Sequence, residues 1–443
     1  MTVPTLLDQT SGTSPTPGRE PGGAPRIAGL ACKNCGSPAA LGPSFVCPSC
    51  FGPLEVVYDY DVIAGLLDRA TIAARPAGIW RYAELLPVSA PPARGLAVGS
   101  SPLVRAPRLG EVIGIGNLWL KDDTRNPTLS FKDRVVAVAA ARAAEFGFET
   151  LACASTGNLA GATAAAAGAL GMRGVVFVPW DLEPAKVDHA LAYGATVVPV
   201  KGTYDDINRL CLEIADEEGW AFVNVNMRPF YSEGSKTLGF EIAEQLGWRL
   251  PDVVVSPVAS GSLFTKVARA FRELATVGLV EPKEVRFVGG QAAGCAPVAN
   301  AFVAREAEIR PVRAPETIVR SLAIGSPADG RYALELARSS GGSVEAVTDQ
   351  QTAEAIRRLG GLEGIFAETA GGVTVAAAEQ ARAAGVIRDG EEVVTLITGN
   401  GVKTPDARRF GLADEVASDP GLARAIDPTY RDFEALKAER GIA

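Results

Sequence analysis

The chain contains a single histidine, His189, among its 443 residues. One imidazole argues against a histidine-based catalytic triad and against a metal site built from several histidines. Acid–base chemistry must therefore use another group, and lysine is the first candidate. The chain also lacks an apolar run of the roughly 18 residues that a membrane span needs. Its Ala-rich stretch at 159–170 is shorter and contains Gly161 and Gly168.

Two further absences concern targeting and charge. The N-terminus has no basic region followed by an apolar stretch, so it does not resemble a secretory signal. We therefore expect a cytosolic protein with no membrane partner. A formal net charge of -8 without a basic stripe argues against nucleic acid as the main partner, because phosphate backbones are bound by clustered lysine and arginine.

Four of the seven cysteines form two CxxC pairs, Cys32 with Cys35 and Cys47 with Cys50, and eleven residues separate the pairs. This spacing is typical of a zinc ribbon, in which four thiolates bind one structural ion. Two disulfides, or a ribbon held by packing without a metal, are the alternatives, and a cytosolic location disfavours disulfides. The other cysteines have the apolar surroundings of small core residues: Cys153, Cys211 and Cys295.

Residues 1–26 are rich in proline, glycine, serine and threonine, and we predict that they are disordered. From about residue 102, short β-branched runs alternate with Ala-rich segments, which predicts parallel sheets covered by helices on both faces. The predicted strands are 174–178, 196–200, 222–225, 253–255, 285–288 and 393–397. The predicted helices are 134–146, 158–170, 205–217, 234–246 and 352–358, with a helical tail from about residue 419.

Lys132 lies near the start of an Ala-rich helix, after a loop that contains Pro127 and Ser130. The positive end of a helix dipole disfavours a protonated amine, and a neutral lysine amine is the group that forms Schiff bases. Taken alone, an exposed first-turn lysine paired with Asp133 would be the simpler interpretation.

Three other loops follow strand-like segments at 150–154, 253–255 and 393–397. The hydroxyl and amide groups of Ser155, Thr156 and Asn158 can bind an anion such as a substrate carboxylate, although an ordinary N-cap uses the same residues. A second loop has the strand–loop–helix arrangement that binds phosphate, or is a plain turn between strand and helix. This loop consists of Ala259, Ser260, Gly261, Ser262 and Leu263.

Thr398 lies in the third loop, directly after the strand predicted at 393–397. Its hydroxyl can bond a heterocyclic nitrogen, whereas a simple glycine turn would explain the neighbouring glycines but not the threonine. Loops at the carboxyl ends of parallel strands meet in one crevice. The loops therefore predict a single site that includes Lys132.

Five motifs occur in the order found in threonine synthases: PTLSFKDR (127–134), STGN (155–158), EGSKT (233–237), QAAGCAPV (291–298) and TGNG (398–401). On these motifs, residues 101 to 405 resemble that family, which belongs to the tryptophan-synthase β-like, fold type II class of pyridoxal-phosphate enzymes. The resemblance implies an α/β fold with two parallel-sheet domains, a large catalytic domain at 61–134 and 216–418 and a smaller domain at 135–215. A zinc-ribbon-like segment would cover 27–60 and a C-terminal helical tail 419–443.

The resemblance also implies roles for individual residues. Lys132 would carry pyridoxal 5'-phosphate as a Schiff base and move protons. Asn158 would bond the ring hydroxyl of the cofactor, residues 259–263 its phosphate and Thr398 its ring nitrogen, while Ser155 and Thr156 would bind the substrate carboxylate. The implied enzyme is a homodimer that converts O-phospho-L-homoserine and water to L-threonine and phosphate.

The sequence departs from this family at 224–237. Many members have a compact Asn-Pro-x-Arg-Leu-Glu-Gly-Gln-Lys-Thr segment whose arginine binds the substrate phosphate. Counted from Asn226, the stretch here is two residues longer than the family segment, and Tyr231 stands at the position of that arginine. Arg228, one turn earlier, can bind the substrate phosphate instead, since a guanidinium fork suits phosphate. Asn226 in the same stretch is also a candidate substrate-binding residue. A surface arginine in a loop is the alternative.

Other functions share these features. Two related reactions would use the same Lys132 and the same cofactor loops. One is elimination from threonine or serine, and the other is the reaction of phosphoserine with a sulfur nucleophile, as in cysteate synthase. A regulatory homologue that binds amino acids without catalysis is a non-enzymatic alternative, against which the retained lysine and the complete set of loops argue. The net charge of -8 disfavours a zinc-ribbon protein that binds nucleic acid.

Overall fold

The computed structural model of the chain describes residues 26–44, 46–155, 157–182, 184–202, 204–404 and 426–440. Apart from residue 26, the predicted disordered segment at 1–26 lies outside the described residues, as does the start of the predicted tail at 419–443. Within the described ranges, no helix is both long enough and apolar enough to cross a membrane.

Strands and helices alternate along most of the chain, which confirms the predicted α/β class. The strands are β1 (Ile27–Cys32), β2 (Pro38–Ala39), β3 (Leu54–Tyr58), β4 (Leu103–Arg105), β5 (Asn117–Asp122), β6 (Thr150–Ala154), β7 (Arg173–Pro179), β8 (Thr196–Val200), β9 (Ala221–Phe222), β10 (Val253–Pro257), β11 (Arg286–Ala292), β12 (Ser343–Val347) and β13 (Glu392–Ile397). The helices are α1 (Tyr60–Leu66), α2 (Arg69–Ala73), α3 (Pro107–Ile113), α4 (Lys132–Glu145), α5 (Asn158–Leu170), α6 (Pro184–Ala192), α7 (Tyr204–Glu218), α8 (Arg228–Glu233), α9 (Lys236–Gln245), α10 (Ser262–Thr276), α11 (Pro297–Val303), α12 (Gly330–Ser339), α13 (Asp349–Glu363), α14 (Thr369–Ala383) and α15 (Tyr430–Arg440).

The larger sheet has six strands in the order β12-β11-β10-β13-β5-β4. Adjacent strands in this sheet are parallel, except that β4 runs antiparallel to β5. Every residue of β10 and of β13 is buried, because helices such as α10 and α14 pack on the sheet. The carboxyl ends of β10, β13 and β5 therefore lie side by side at one edge of this sheet.

The smaller sheet has four parallel strands in the order β8-β7-β6-β9. Helix α5 packs against β6, β7 and α4, and α7 packs against β6 and β7. The buried thiol of Cys153 lies in β6, and burial raises its pKa to about 12. Cys211 and Cys295 are also buried, so the prediction of core positions for these three cysteines is confirmed.

An antiparallel sheet in the order β2-β1-β3 precedes the two parallel sheets. It is joined to the rest of the chain by buried charges, which we call the β3 ion network. Lys266 of α10 donates to Glu55 of β3 at 2.8 Å and to Glu233 of α8 at 2.6 Å, while Tyr58 donates to Glu233 at 2.8 Å. The network also contains Lys236, Arg269 and Glu273.

Most of the predicted elements are confirmed, including the strand at 196–200 and the helix at 158–170. The strand predicted at 222–225 is wrong beyond Phe222, because the amides of Val225 and Met227 both donate to the Phe222 carbonyl and turn the chain. The helix predicted at 234–246 begins two residues later, since the short helix α8 precedes it. The domain boundaries at 134, 215 and 418 stay predictions.

Candidate active site

Lys132 is the first residue of α4, and the loop before it is held against the loop that follows β13. The Phe131 amide donates to the Thr398 carbonyl at 2.9 Å, and the Asn400 amide donates to the Leu129 carbonyl at 3.0 Å. Ser130 and Gly399 form an isolated β-bridge between the same two loops. The buried Thr398 and the lysine therefore lie at one edge of the larger sheet, as the crevice prediction requires.

Arg134 anchors the first turn of α4. Its guanidinium is fully buried and pairs with Asp123 and Glu241, each at 2.7 Å, and Lys121 also pairs with Glu241 at 2.7 Å. Burial alone would raise the pKa of Glu241, but Arg134 and Lys121 together lower it to about 2. We call these four residues the Arg134 cluster. Since Arg134 follows Lys132 by two residues, the cluster holds the helical turn that carries the lysine.

Asn158 begins α5 and reaches across to the start of α14. Its Nδ2 donates to both carboxylate oxygens of Glu368 at 2.9 Å. Its Oδ1 is buried and has no hydrogen-bond partner within the described part of the chain. Buried amide oxygens are normally bonded, so this atom can accept from a hydroxyl placed in the crevice.

Ser155 follows β6, and its Oγ accepts the amides of Gly157 at 3.0 Å and Ala160 at 2.9 Å. The hydroxyl therefore caps its own turn, and a substrate contact stays a prediction. Thr156, the other residue predicted to bind the carboxylate, lies outside the described residues. A lysine that the sequence did not single out, the buried Lys186 of α6, packs over this turn: a Cβ on Gly157 would lie 2.7 Å from its Cδ.

The predicted phosphate loop at 259–263 joins β10 to α10. Gly261 has φ +93°, and a Cβ there would lie 2.7 Å from the carbonyl oxygen of Asp329, so the loop needs glycine at this position. Ser262 begins α10, and its buried Oγ has no partner among the residues that the structure describes. A helix start with an unpaired hydroxyl beside a glycine suits a phosphate group.

Arg228 begins α8 and is tied to this loop through Asp329. Its Nη2 lies 2.8 Å from a carboxylate oxygen of Asp329, and the Asp329 amide donates to the Ser260 carbonyl at 2.7 Å. No sequence motif marked Asp329, because an aspartate before a helix is typical of an N-cap. Its side chain makes no capping bond to α12.

The side-chain amide of Asn226 forms hydrogen bonds with the backbone of neighbouring residues. Its Oδ1 accepts the Phe222 amide at 2.8 Å, and its Nδ2 donates to the Trp220 carbonyl at 2.9 Å. These bonds stabilise the turn before α8, and a substrate contact by Asn226 stays a prediction.

Tyr231, at the position of the family arginine, contacts the candidate catalytic lysine. The Nζ of Lys132 donates to the Tyr231 hydroxyl at 3.1 Å. Burial raises the pKa of Tyr231, so its hydroxyl is protonated at neutral pH. The sequence placed this tyrosine near the substrate but gave no sign of a contact with Lys132.

The four cysteines of the CxxC pairs come together: all their sulfurs lie within 4.8 Å of one another. Cys32 and Cys50 are 3.4 Å apart and Cys35 and Cys47 are 3.8 Å apart, and all four thiols are free. A tetrahedral zinc with bonds of about 2.3 Å needs sulfurs roughly 3.8 Å apart. The donor set fits zinc.

The crevice presents the groups that pyridoxal phosphate would need. Lys132 offers an amine, and Asn158 a buried carbonyl oxygen that accepts no hydrogen bond from the described residues. The Ser262 hydroxyl, also without a partner in the described part of the chain, and the backbone at Gly261 form the cradle for a phosphate. Thr398 lies beside the lysine loop. These residues therefore fit the cofactor.

Comparisons with known proteins agree with this fit. The model of the family "Pyridoxal-phosphate dependent enzyme" matches residues 95–399. The threonine synthase of Methanocaldococcus jannaschii is 36% identical over 85% of this chain and 93% of its own length. The threonine synthase of Methanosarcina acetivorans is 36% identical over 85% of this chain and 92% of its own length. Holo diaminopropionate ammonia lyase from Escherichia coli has a TM-score of 0.60 at 20% identity, covering 72% of this chain and 88% of that one, which indicates a shared fold.

Proposed function

Because this chain belongs to the family of pyridoxal-phosphate dependent enzymes, we propose that it is a threonine synthase that converts O-phospho-L-homoserine and water to L-threonine and phosphate. The observation that carries the proposal is the 36% identity to a threonine synthase over 85% of the chain. The match covers 93% of that relative, so it includes nearly the whole of a functional enzyme.

In the proposed mechanism, Lys132 attaches the cofactor through its Nζ. When bound, the cofactor supplies an electron sink for the substrate's α-carbon. In the substrate complex, the Nζ of Lys132 would take the α-proton and later a β-proton. It would return protons to the carbon chain as phosphate leaves from the γ-carbon and water adds at the β-carbon. A single positioned amine can serve these transfers in turn, which suits a chain with one histidine.

Other residues bind and orient the cofactor. We assign Asn158 to the ring hydroxyl, because its Oδ1 is buried without a partner in the described ranges. We assign residues 259–263 to the cofactor phosphate, because the loop combines a glycine at φ +93° with a Ser262 hydroxyl at a helix start that has no partner among the described residues. Thr398 is assigned to the ring nitrogen, because the loop that contains it is bonded to the lysine loop.

We assign the substrate phosphate to Arg228, because its ion pair with Asp329 holds the guanidinium beside the phosphate loop. One face of a guanidinium fork can bind an anion while the other retains the carboxylate. Ser155 and Thr156 stay assigned to the substrate carboxylate, with the positive charge of Lys186 close to the same turn.

The reaction is tested by incubating the purified enzyme and cofactor with O-phospho-L-homoserine, and separately with O-phospho-L-serine. We expect threonine and phosphate from the first substrate, with kcat/KM roughly 10–200-fold higher than for the second, which is one methylene shorter. Phosphate released only from phosphoserine would indicate a β-replacement enzyme. Phosphate from neither, with ammonia from threonine or serine, would indicate a dehydratase.

A non-enzymatic amino-acid-binding homologue would release phosphate from neither substrate. It would also show no absorbance band of a lysine-bound cofactor, expected at roughly 410–430 nm. Both readouts come from the same preparation, so the enzymatic and regulatory alternatives are separated in one experiment.

We also propose that Cys32, Cys35, Cys47 and Cys50 bind one structural zinc, because their sulfur spacing matches tetrahedral coordination. Metal analysis should find one zinc per chain after expression with zinc supplied. After dialysis against a chelator, Cys47→Ser should retain at least about tenfold less zinc than the wild type. Cys211→Ala, which removes a buried thiol elsewhere, should retain the ion. A wild type without zinc would contradict the assignment.

The proposal includes a cytosolic location and a homodimer. The four free thiols of the CxxC pairs suit a reducing compartment, which supports the first. The family resemblance supports the second.

A further inference from the structure

The contact between Lys132 and Tyr231 joins two helices that are far apart in sequence. The Nζ of Lys132 donates to the phenol oxygen at 3.1 Å across 99 residues of chain. The same nitrogen lies 5.8 Å from the centroid of the Tyr231 ring. Both residues are half-buried, so water does not surround the contact.

The position of the phenol is set by direct packing of α8 on α4. A Cβ on Gly234, at the end of α8, would lie 2.4 Å from the Arg134 carbonyl oxygen and 2.5 Å from the Val135 Cα. The two backbones therefore touch with no room for a side chain. Phe230 packs edge-on against Phe146, which directly follows α4, at 5.5 Å between ring centroids. Docking of the two helices thus fixes the hydroxyl relative to the lysine.

The Tyr231 hydroxyl is neutral, so its oxygen can accept a hydrogen bond from an amine that gains a proton. Burial, together with the nearby Cys153, raises the pKa of the phenol, although Arg228 opposes this. A protonated phenol keeps its oxygen lone pairs for an N–H donor. A hydrogen bond to the charged form of a group favours that form.

We propose that Tyr231 is a second catalytic residue, whose hydroxyl oxygen holds the Nζ of Lys132 and stabilises it when it takes a proton from the substrate. The inference rests on the proposed function. In the step concerned, the α C–H bond breaks and an N–H bond forms at Nζ, while the bonding electrons stay with the substrate and the electron sink. The phenol accepts a hydrogen bond from the new ammonium and keeps its own proton.

The variant Tyr231→Phe keeps the ring and removes the hydroxyl. We expect its kcat to fall by about 10- to 100-fold, the range for loss of a hydrogen bond to a charged group. Its KM should stay within about threefold of the wild type, because the phenol contacts the lysine rather than the substrate. Tyr430→Phe, at an exposed tyrosine of α15, is the matched control and should leave both constants unchanged.

A second readout needs no turnover. The rate at which pyridoxal phosphate attaches to the cofactor-free chain depends on the fraction of neutral Lys132, because the neutral amine is the nucleophile. Without the phenol, the ammonium is less stabilised, so the midpoint of the rate–pH curve should move to lower pH by about one unit. This measurement uses no phosphohomoserine, so its failure is distinct from failure of the substrate assignment.

Unchanged kcat and an unchanged midpoint in Tyr231→Phe would overturn the proposal. So would a lower kcat without a shift of the midpoint, because the hydroxyl would then not act on the amine. Tyr231→Arg restores the family residue and should also lose kcat. If that variant instead matched the wild type and bound substrate more tightly, the position would serve the substrate phosphate, and the proposal would fail.

Discussion

Replacement of Lys132 by alanine is expected to lower kcat/KM for O-phospho-L-homoserine by at least about 10³-fold, because in the proposed mechanism one amine serves both as the attachment point and as the base. The absorbance band of the lysine-bound cofactor, at roughly 410–430 nm, should disappear. Steady-state kinetics and a spectrum of the same preparation measure the two effects. The cofactor loops remain, so the variant should still bind the cofactor reversibly.

Two further variants sharpen this test. Lys132→Arg keeps the positive charge but cannot form the attachment, so it should behave like the alanine variant. Lys437→Ala removes an exposed lysine from α15 and should leave activity and spectrum unchanged. Retention of the band and of activity in Lys132→Ala would reject the central assignment. The buried lysines near the crevice, Lys186 and Lys403, would then become the candidates.

The largest effect on stability is expected from Arg134→Met. Arg134 is fully buried between Asp123 and Glu241, so methionine leaves two buried carboxylates without their main partner. Loss of one partner from a buried ion pair costs about 3–5 kcal/mol of unfolding free energy. Denaturant unfolding followed by circular dichroism measures the change. The matched control is Arg331→Met, where the exposed pair with Glu335 should contribute under about 1 kcal/mol.

The pH dependence of the Arg134 effect has a defined sign. The pKa of Glu241 is lowered to about 2 in the folded chain, against an ordinary value of 4.5. Its ion pairs therefore stabilise the fold fully above about pH 4.5, and this stabilisation is lost as the pH falls toward 2. The difference in unfolding free energy between wild type and Arg134→Met should thus shrink as the pH is lowered. A difference that does not change with pH would argue against the ion pairs as its cause.

The parts of the candidate site that could be predicted from the sequence lie in the connections that follow strands. Thr398 directly follows β13, whereas Asn158 and Lys132 begin the helices that come after β6 and β5. Connections at the carboxyl ends of parallel strands meet in a crevice. Bonds between the loops then join these residues, through Phe131 and Thr398 and through Asn158 and Glu368.

The contacts that escaped prediction depend on how helices pack. Tyr231 meets Lys132 across 99 residues because α8 docks on α4, and no local pattern encodes that docking. Asp329 meets Arg228 across 101 residues, in place of the capping bond that its position before a helix suggests. The side chain of Asn226 folds back onto its own turn, since a polar residue near an incomplete strand end can satisfy the backbone there.

The β3 ion network also orders events during synthesis of the chain. Its bond between Glu55 and Lys266 joins residues that are 211 positions apart. At about 5–20 residues per second, the ribosome adds Lys266 roughly 10–40 s after Glu55. During that interval the charges on β3 lack their native partners and must stay hydrated. The N-terminal sheet can therefore make its native ion pairs only after α10 has emerged.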